Sequence, residues 1–577
     1  MPIFNFDSSY VLGNVRAVDT RKVTLQVTKD ENLRKARVGQ LAALALPGAI
    51  EEWLIGIIEK VVKIPVADEI SDEMPSDGND IYSQVSESIL NTVYITLIGT
   101  VCTGDDGAIK FSRSLVQIPE IDTCCYILRD AQLQNFMGIL STEGKTEHSL
   151  LIGKYTIDDT ASAFLDGNRF FQRHAAILGS TGSGKSWSVA SILEKAAQLQ
   201  STNIIVFDLH GEYSGFSYAR QLRVPSPEDL GKSGANLLYL PYWLLNTEEL
   251  QAMFTDKTEF SAHNQVMVFQ DAVIEEKKNT LTSEKKVDVL KAFTLDSPIP
   301  FSLNRVVAAI KAKNEEMVPG SQGKDKQGPF FGQFTRLLLR MNSKITDRRY
   351  GFLFQAPDSE NSYAALANIA HKLLDCAGKN QQIKIVDFSD VPADILPIIV
   401  GIVARLIFQI QFWTDSALRK PIALVCDEAH LYLPKKDGTN PIELRAVENF
   451  ERIAKEGRKY GVALVIVSQR PSDVSTTILS QCNNIVSLRL TNSDDQGTIK
   501  KYMPESLDSL LDTLPLLDTG EALVVGDSVL LPSRIKIAEP KEHPRSATID
   551  FWTEWRKLSN PLAFGSIIEN MRKQTRT

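Results

Sequence analysis

The sequence predicts an α/β fold: a mostly parallel sheet built around a phosphate-binding loop, with a small β-barrel before it and a helical insertion inside it. Three observations carry this. An apolar run from Ala175 to Leu178 breaks into Gly179-Ser180-Thr181-Gly182-Ser183-Gly184-Lys185-Ser186 and continues with helical spacing from Trp187 to Leu199. Short β-branched stretches separated by turn residues fill residues 1–145. Helical spacing with polar, glycine-rich linkers takes over between residues 244 and 380.

Composition bounds the answer. A chain of 577 residues holds two to four domains with ample core. Its 43% hydrophobic and 23% charged content is that of an ordinary globular protein, which excludes a disordered or fibrous chain. A net charge of −8 means that any nucleic-acid contact comes from a local basic surface rather than the overall field. Cys102, Cys124, Cys125, Cys376, Cys426 and Cys482 show neither C-x-x-C spacing nor histidine pairing, so they read as reduced thiols in a cytoplasmic protein. The start, Met1-Pro-Ile-Phe-Asn-Phe-Asp, has no basic region of the secretory kind. Ile395 to Ile410 carries Pro397 and Arg405 and is too short to span a bilayer, so a core helix and no membrane contact are expected.

Taken in order, strands are expected at Tyr10 to Val18, Lys22 to Val27, Leu54 to Ile58, Val93 to Ile98 and Val116 to Ile118. Gly13, Gly56 and Gly99 suit the bends of a small closed barrel. Pro65 to Glu87 contains seven acids and no lysine or arginine, and reads as a solvated loop or a docking surface.

The glycine-rich run is G-x-x-x-x-G-K-[ST] with a strand before it and a helix after it, the context this motif requires. Its glycines let successive N–H groups turn toward phosphate oxygens, and the helix that follows adds its dipole. Gly179 to Trp187 are the expected nucleotide contacts. Lys185 would reach the β- and γ-phosphates and the Ser186 hydroxyl would ligate Mg²⁺. The pattern implies a bound nucleoside triphosphate.

A second buried strand, Asn203 to Phe207, ends in Asp208, His210 and Glu212, which either serve the site or its neighbour or cap the turn that follows. In the helical insertion, Lys324, Lys326, Arg336, Arg340, Lys344, Arg348 and Arg349 are either a polyanion-binding surface or solvated helix faces. The core resumes at Ile383. Pro421 to Cys426 then ends in Asp427-Glu428-Ala429-His430. Downstream of a phosphate loop, Asp427 suits the Mg²⁺ shell and Glu428 the general base for water. A helix from Pro441 to Lys455 leads through Gly457-Arg458-Lys459-Tyr460-Gly461 into Val462 to Ser468, whose polar tip, Gln469, suits a γ-phosphate sensor.

This order of parts resembles the HerA/FtsK group, and the HerA family in particular. Phe207 to Tyr213, Leu488 to Gln496, Gly520 to Gly526 and Leu531 to Ile537 are similar to that family's core strands, and the β-rich start to its barrel. The resemblance implies a RecA-like P-loop NTPase core in a homo-hexameric ring on double-stranded DNA, driven by ATP with Mg²⁺. It implies an arginine supplied to the neighbouring subunit's site; Arg458 matches that position, with Arg452 and Arg489 as substitutes. It also implies a separate nuclease or other effector, docked on the barrel, in repair or antiviral defence. Lys435 and Lys436 are candidates for gripping DNA.

The resulting division is barrel 1–145, core 146–243, insertion 244–380, core 381–537 and a C-terminal tail 538–577, expected to strap neighbouring subunits and to show little apolar surface. The alternative is an ATP-bound scaffold that activates an effector with little translocation. The D-E-A-H letters also occur in superfamily 2 helicases, whose accompanying motifs are not found. There is no L-S-G-G-Q signature of an ABC-type ATPase.

Overall fold

A computed structural model describes residues 3–46, 52–66, 88–104, 107–115, 117–256, 259–319, 324–378, 382–436, 441–503, 508–546, 549–557 and 564–573. The chain divides into two compact units, residues 1–170 with 484–539, and residues 171–483 with 540–577.

The first unit opens with β1 (Val11–Asp19), β2 (Lys22–Gln26), β3 (Leu41–Ala45), β4 (Trp53–Val66), β5 (Ser88–Thr103), β6 (Ile109–Ser112) and β7 (Cys124–Ile127). Their order is β2-β1-β7-β3-β4-β5, and β5 pairs back onto β2, closing a six-stranded barrel with β6 added on β5. Closure removes the exposed edges an open sheet would carry. Alternate residues fill the interior, among them Leu12, Val23, Leu25, Leu44, Leu54, Ile58, Val93 and Ile95. A Cβ at Gly99 would lie 2.3 Å from the Ser112 carbonyl oxygen, and one at Gly13 2.4 Å from that of Gln26, so both are close backbone approaches.

One strand is added to those expected and one expectation shifts. Leu41–Ala45 is a strand although its alanines and leucines favour helix, because β4 and β7 pair with it on both sides. The strand expected at Val116 to Ile118 is not formed at 117–118, Val116 lies outside the described residues, and Cys124–Ile127 takes the place beside β1. Most of the acidic stretch, residues 67–87, also lies outside them.

The remaining strands are β8 (Ser149–Tyr155), β9 (Ser162–Asp166), β10 (Ala175–Leu178), β11 (Ile204–Asp208), β12 (Ala219–Arg223), β13 (Met317–Pro319), β14 (Asp325–Gln327), β15 (Ile383–Asp387), β16 (Ile422–Cys426), β17 (Val462–Ser468), β18 (Asn484–Ser487), β19 (Glu521–Gly526) and β20 (Ser533–Ile537). In the first unit β18-β19-β20-β8-β9 form an antiparallel sheet.

In the second unit β12-β15-β11-β16-β17-β10 run parallel. Parallel strands covered on both faces read as continuous apolar runs, and every residue of β10, β16 and β17 is buried. Helix Leu396–Trp413 passes a length and hydropathy test for a membrane span, but 67% of it is buried within the fold. Its Arg405 donates to Glu249 and to the Leu244 carbonyl, both at 2.8 Å. That pair fastens helix Thr247–Phe254, itself closed by an Asn246/Glu249 capping box, onto the core.

The insertion's basic residues are largely engaged internally. Arg340 is 2.7 Å from Glu259, Lys344 3.2 Å from Asp394 and Arg349 2.7 Å from Asp347, while Arg348 donates to the Pro227 carbonyl. The tail differs from expectation: helices Phe551–Arg556 and Phe564–Lys573 expose Phe551, Trp552, Trp555, Phe564 and Met571. Charges between these aromatics mask them in composition, whereas helical spacing brings them to the surface.

Glu249 is a buried carboxylate paired with Arg405 at 2.8 Å. Arg405→Met is therefore expected to destabilise the protein by about 3–5 kcal/mol, read from urea unfolding midpoints. A loss within about 0.5 kcal/mol, the size of an ordinary surface change, would show that the pair does not hold the insertion.

Candidate active site

The loop after β10 turns on two glycines in the left-handed region, Gly182 (φ +73°) and Gly184 (φ +105°), on either side of Ser183. Alternating handedness of this kind gathers backbone N–H groups on one side as an anion cradle. Helix Lys185–Ala196 begins immediately after it. Ser183 Oγ is buried and has no hydrogen-bond partner among the described residues. Lys185 folds back across the loop, its Nζ donating to the Ser180 carbonyl at 3.3 Å. Burial lowers the Lys185 pKa, against the opposing pull of Glu428, Asp427 and Glu212.

Strand register assembles the rest. Leu178 is level with Ser468, Cys426 with Ile466, and Phe207 with Cys426. The residues just beyond these positions therefore emerge side by side at the carboxyl edge of the sheet, where ligands of parallel sheets sit. Gln469 meets the loop there: Thr181 Oγ1 donates to Gln469 Oε1 at 2.5 Å. Gln469 Nε2 donates to Glu428 Oε2 at 3.2 Å.

Asp427 and Glu428 are both buried. Burial first, then the charges of Glu428, Glu212 and Asp208, push the Asp427 pKa well above the carboxylate range. Glu428 holds φ +45°, ψ +42°, a strained conformation for a side chain of its size, at the first residue after Asp427. His430, missed in the sequence reading although it ends the same run, lies with Nδ1 3.3 Å from Glu428 Oε2. Burial lowers the His430 pKa, which favours the neutral imidazole beside that carboxylate.

The second strand's polar residues divide. Asp208 Oδ1 and Oδ2 accept the N–H groups of Gly211 and Tyr213 at 2.8 and 2.9 Å, which makes it the cap of the turn. Burial raises its pKa to about 6. Glu212 faces the loop and accepts the Ser186 hydroxyl at 2.6 Å. His210 gives its N–H to Asp208 and stays exposed.

These residues fit a nucleoside triphosphate with a divalent cation. The cradle and the orphaned Ser183 hydroxyl suit an anion, and Lys185 is the cation among the crowded acids. Among the described residues no three His, Cys, Asp or Glu side chains cluster to hold a metal by themselves. A cation here would take ligands from the substrate and water as well, as Mg²⁺ does.

The other expected residues lie apart from this edge. Arg458 is exposed on the turn Gly457–Tyr460 that precedes β17, at the amino edge of the sheet. The seven residues of β17 separate it from Gln469 by roughly 20 Å. Arg452 pairs with Glu456 at 3.4 Å, and Arg489 follows β18 in the first unit. Lys436 is tied to Glu451 at 2.8 Å, and Lys435 is exposed beside it. Trp187 packs against His543 of the tail, with ring centroids 4.5 Å apart. No sequence spacing signals that last contact.

Comparison with known proteins adds an independent finding. The family described as "Helicase HerA, central domain" matches residues 150–407. The DNA double-strand break repair helicase HerA of Saccharolobus solfataricus is 27% identical over 438 residues, covering 74% of this chain and 76% of that protein. The HerA of Sulfolobus acidocaldarius is 29% identical, covering 67% and 68%. Among solved structures, VirB4 of Thermoanaerobacter pseudethanolicus aligns with a TM-score of 0.44 at 17% identity, over 69% of this chain and 98% of that one.

The strain at Glu428 is open to measurement. Glu428→Gly relieves a left-handed backbone and the repulsion with Asp427, offset by glycine's freedom in the unfolded chain. A net gain of about 1 kcal/mol is expected in urea unfolding without nucleotide. Destabilisation by the same amount would show that the Glu428 contacts outweigh its strain.

Proposed function

The chain belongs to the HerA family, and on that premise we propose that it is an ATP-driven motor acting on double-stranded DNA as a homo-hexameric ring. The observation that carries this reading is the meeting of Lys185, Ser186, Asp427, Glu428 and Gln469 at one sheet edge around a phosphate cradle. The division into barrel, two-part core, insertion and tail is proposed with it.

The residues then have distinct tasks. The amides of Gly179 to Gly184, with Trp187 after them, bind the nucleotide, and Lys185 neutralises its β- and γ-phosphates. Ser186 and Asp427 would hold a Mg²⁺, which would supply further charge neutralisation there. Glu428 orients water and takes its proton. Gln469, bonded to both Thr181 and Glu428, is placed to sense the γ-phosphate. Neutral His430 steadies the Glu428 carboxylate from the other side. Glu212 holds the Ser186 hydroxyl and would orient it toward a bound cation.

Arg458 stands at the far edge of its own sheet, which supports its action on a neighbouring subunit's nucleotide rather than its own. An arginine supplied this way contributes roughly 10³–10⁵ in rate, so hydrolysis is coupled to ring assembly. DNA is gripped through its backbone rather than its bases, with Lys435 and Lys436 as the candidate contacts. A separate nuclease-type effector docks on the barrel.

Lys185→Ala is expected to lose nucleotide binding, and Glu428→Gln to keep binding but hydrolyse at least 10²-fold more slowly. Arg458→Ala should bind ATP and hydrolyse it poorly, and mixing it with Glu428→Gln should recover activity, since mixed interfaces hold one intact site. No recovery after confirmed subunit exchange would remove Arg458 from the neighbouring site. DNA should accelerate steady-state hydrolysis; a rate that ignores DNA and follows the effector instead supports the scaffold reading.

The barrel assignment has its own test. A chain lacking residues 1–145 should retain nucleotide binding and lose capture of the effector. Undiminished capture would move the dock elsewhere.

A further inference from the structure

The tail does not leave the second unit's core at once. Lys541 N–H donates to the Glu194 carboxylate of the phosphate-loop helix at 2.6 Å. Glu542 accepts the backbone N–H of Ser217 at 2.7 Å and also its hydroxyl. Arg545 N–H donates to the Glu212 carbonyl at 2.6 Å. The Arg545 guanidinium fills the space over Gly215 (φ +98°), where a Cβ would come within 3.2 Å of Nη2. Between these anchors, His543 lies over Trp187 at 4.5 Å with the rings inclined by 34°.

Two features direct this strap at the phosphate loop. Trp187 immediately follows Ser186, so its indole is carried on the first turn of the helix that leaves the loop. Glu212 joins strap and loop directly: its carbonyl receives Arg545, while its carboxylate holds the Ser186 hydroxyl. Trp187 is half-buried and His543 exposed, so the aromatic pair opens outward rather than into the core.

We propose that the segment Lys541–Arg545 completes the nucleotide site from within the same chain, and that the Trp187–His543 pair is the stacking platform for the nucleobase. This rests on the nucleotide reading of the phosphate loop and adds its base-binding end. Aromatic faces accept any base, so the platform contributes affinity with weak selectivity between ATP and GTP. The strap ties occupancy of the base end to the position of Ser186, through Glu212.

The test compares ligands with and without a base on the full chain. Titration calorimetry with Mg²⁺ would measure ADP and inorganic tripolyphosphate binding to the parent, His543→Ala and His543→Phe. His543→Ala should bind ADP about 5- to 100-fold more weakly and tripolyphosphate with unchanged affinity. His543→Phe, which keeps an aromatic face, should stay within about threefold of the parent for both. An equal loss for both ligands means that the strap only shapes the loop, and unchanged ADP affinity in His543→Ala means that the base lies elsewhere; either overturns the proposal. Failure of the parent to bind either ligand would instead overturn the nucleotide reading beneath it.

Discussion

Four neighbouring parallel strands, β11, β16, β17 and β10, end at the same edge of the sheet, and Lys185 is the cation placed among the acids they deliver. Burial raises the pKa values of Asp427 and Asp208 and lowers that of Lys185. The charges of Glu428 and Glu212 add to the upward push on Asp427. A polyphosphate with a divalent cation supplies both signs at once, which is why this edge suits that ligand better than a neutral one.

The same edge stores conformational strain where chemistry is assigned. Glu428 adopts a left-handed backbone that its side chain disfavours, and its carboxylate is then caught between Gln469 and His430. These two contacts come from different segments, so the carboxylate direction is over-determined rather than left to a flexible rotamer. Thr181 extends the chain of contacts back to the phosphate loop through Gln469. A change at the γ-phosphate position therefore has a direct route to the proposed base.

Charge is used differently away from the edge. The insertion's arginines and lysines, which in sequence resemble a polyanion surface, are consumed in holding helices together, with Arg340 on Glu259 and Lys344 on Asp394. Arg405 does the same from within the most apolar helix of the chain. The exposed aromatics of the tail helices lie on the opposite side of this contrast: apolar residues left on the surface while charges are engaged in pairs.

The sequence by itself determined the parts whose signals are local. A strand, a glycine-rich turn and a helix in succession identify the phosphate loop, because backbone handedness and anion binding depend on adjacent residues. Continuous apolar runs marked β11, β16 and β17 for the same reason, and polar residues at their ends marked Asp427, Glu428 and Gln469. Tertiary structure alone decided the rest. Leu41–Ala45 became a strand through its two partners, Asp208 became a turn cap while Glu212 faced the loop, and His430 came against Glu428 only through a left-handed bend. Trp187 and His543 are more than 350 residues apart in the chain, and no spacing rule joins them; their contact exists because the tail is bonded to Glu194, Ser217 and Glu212 on its way past the loop.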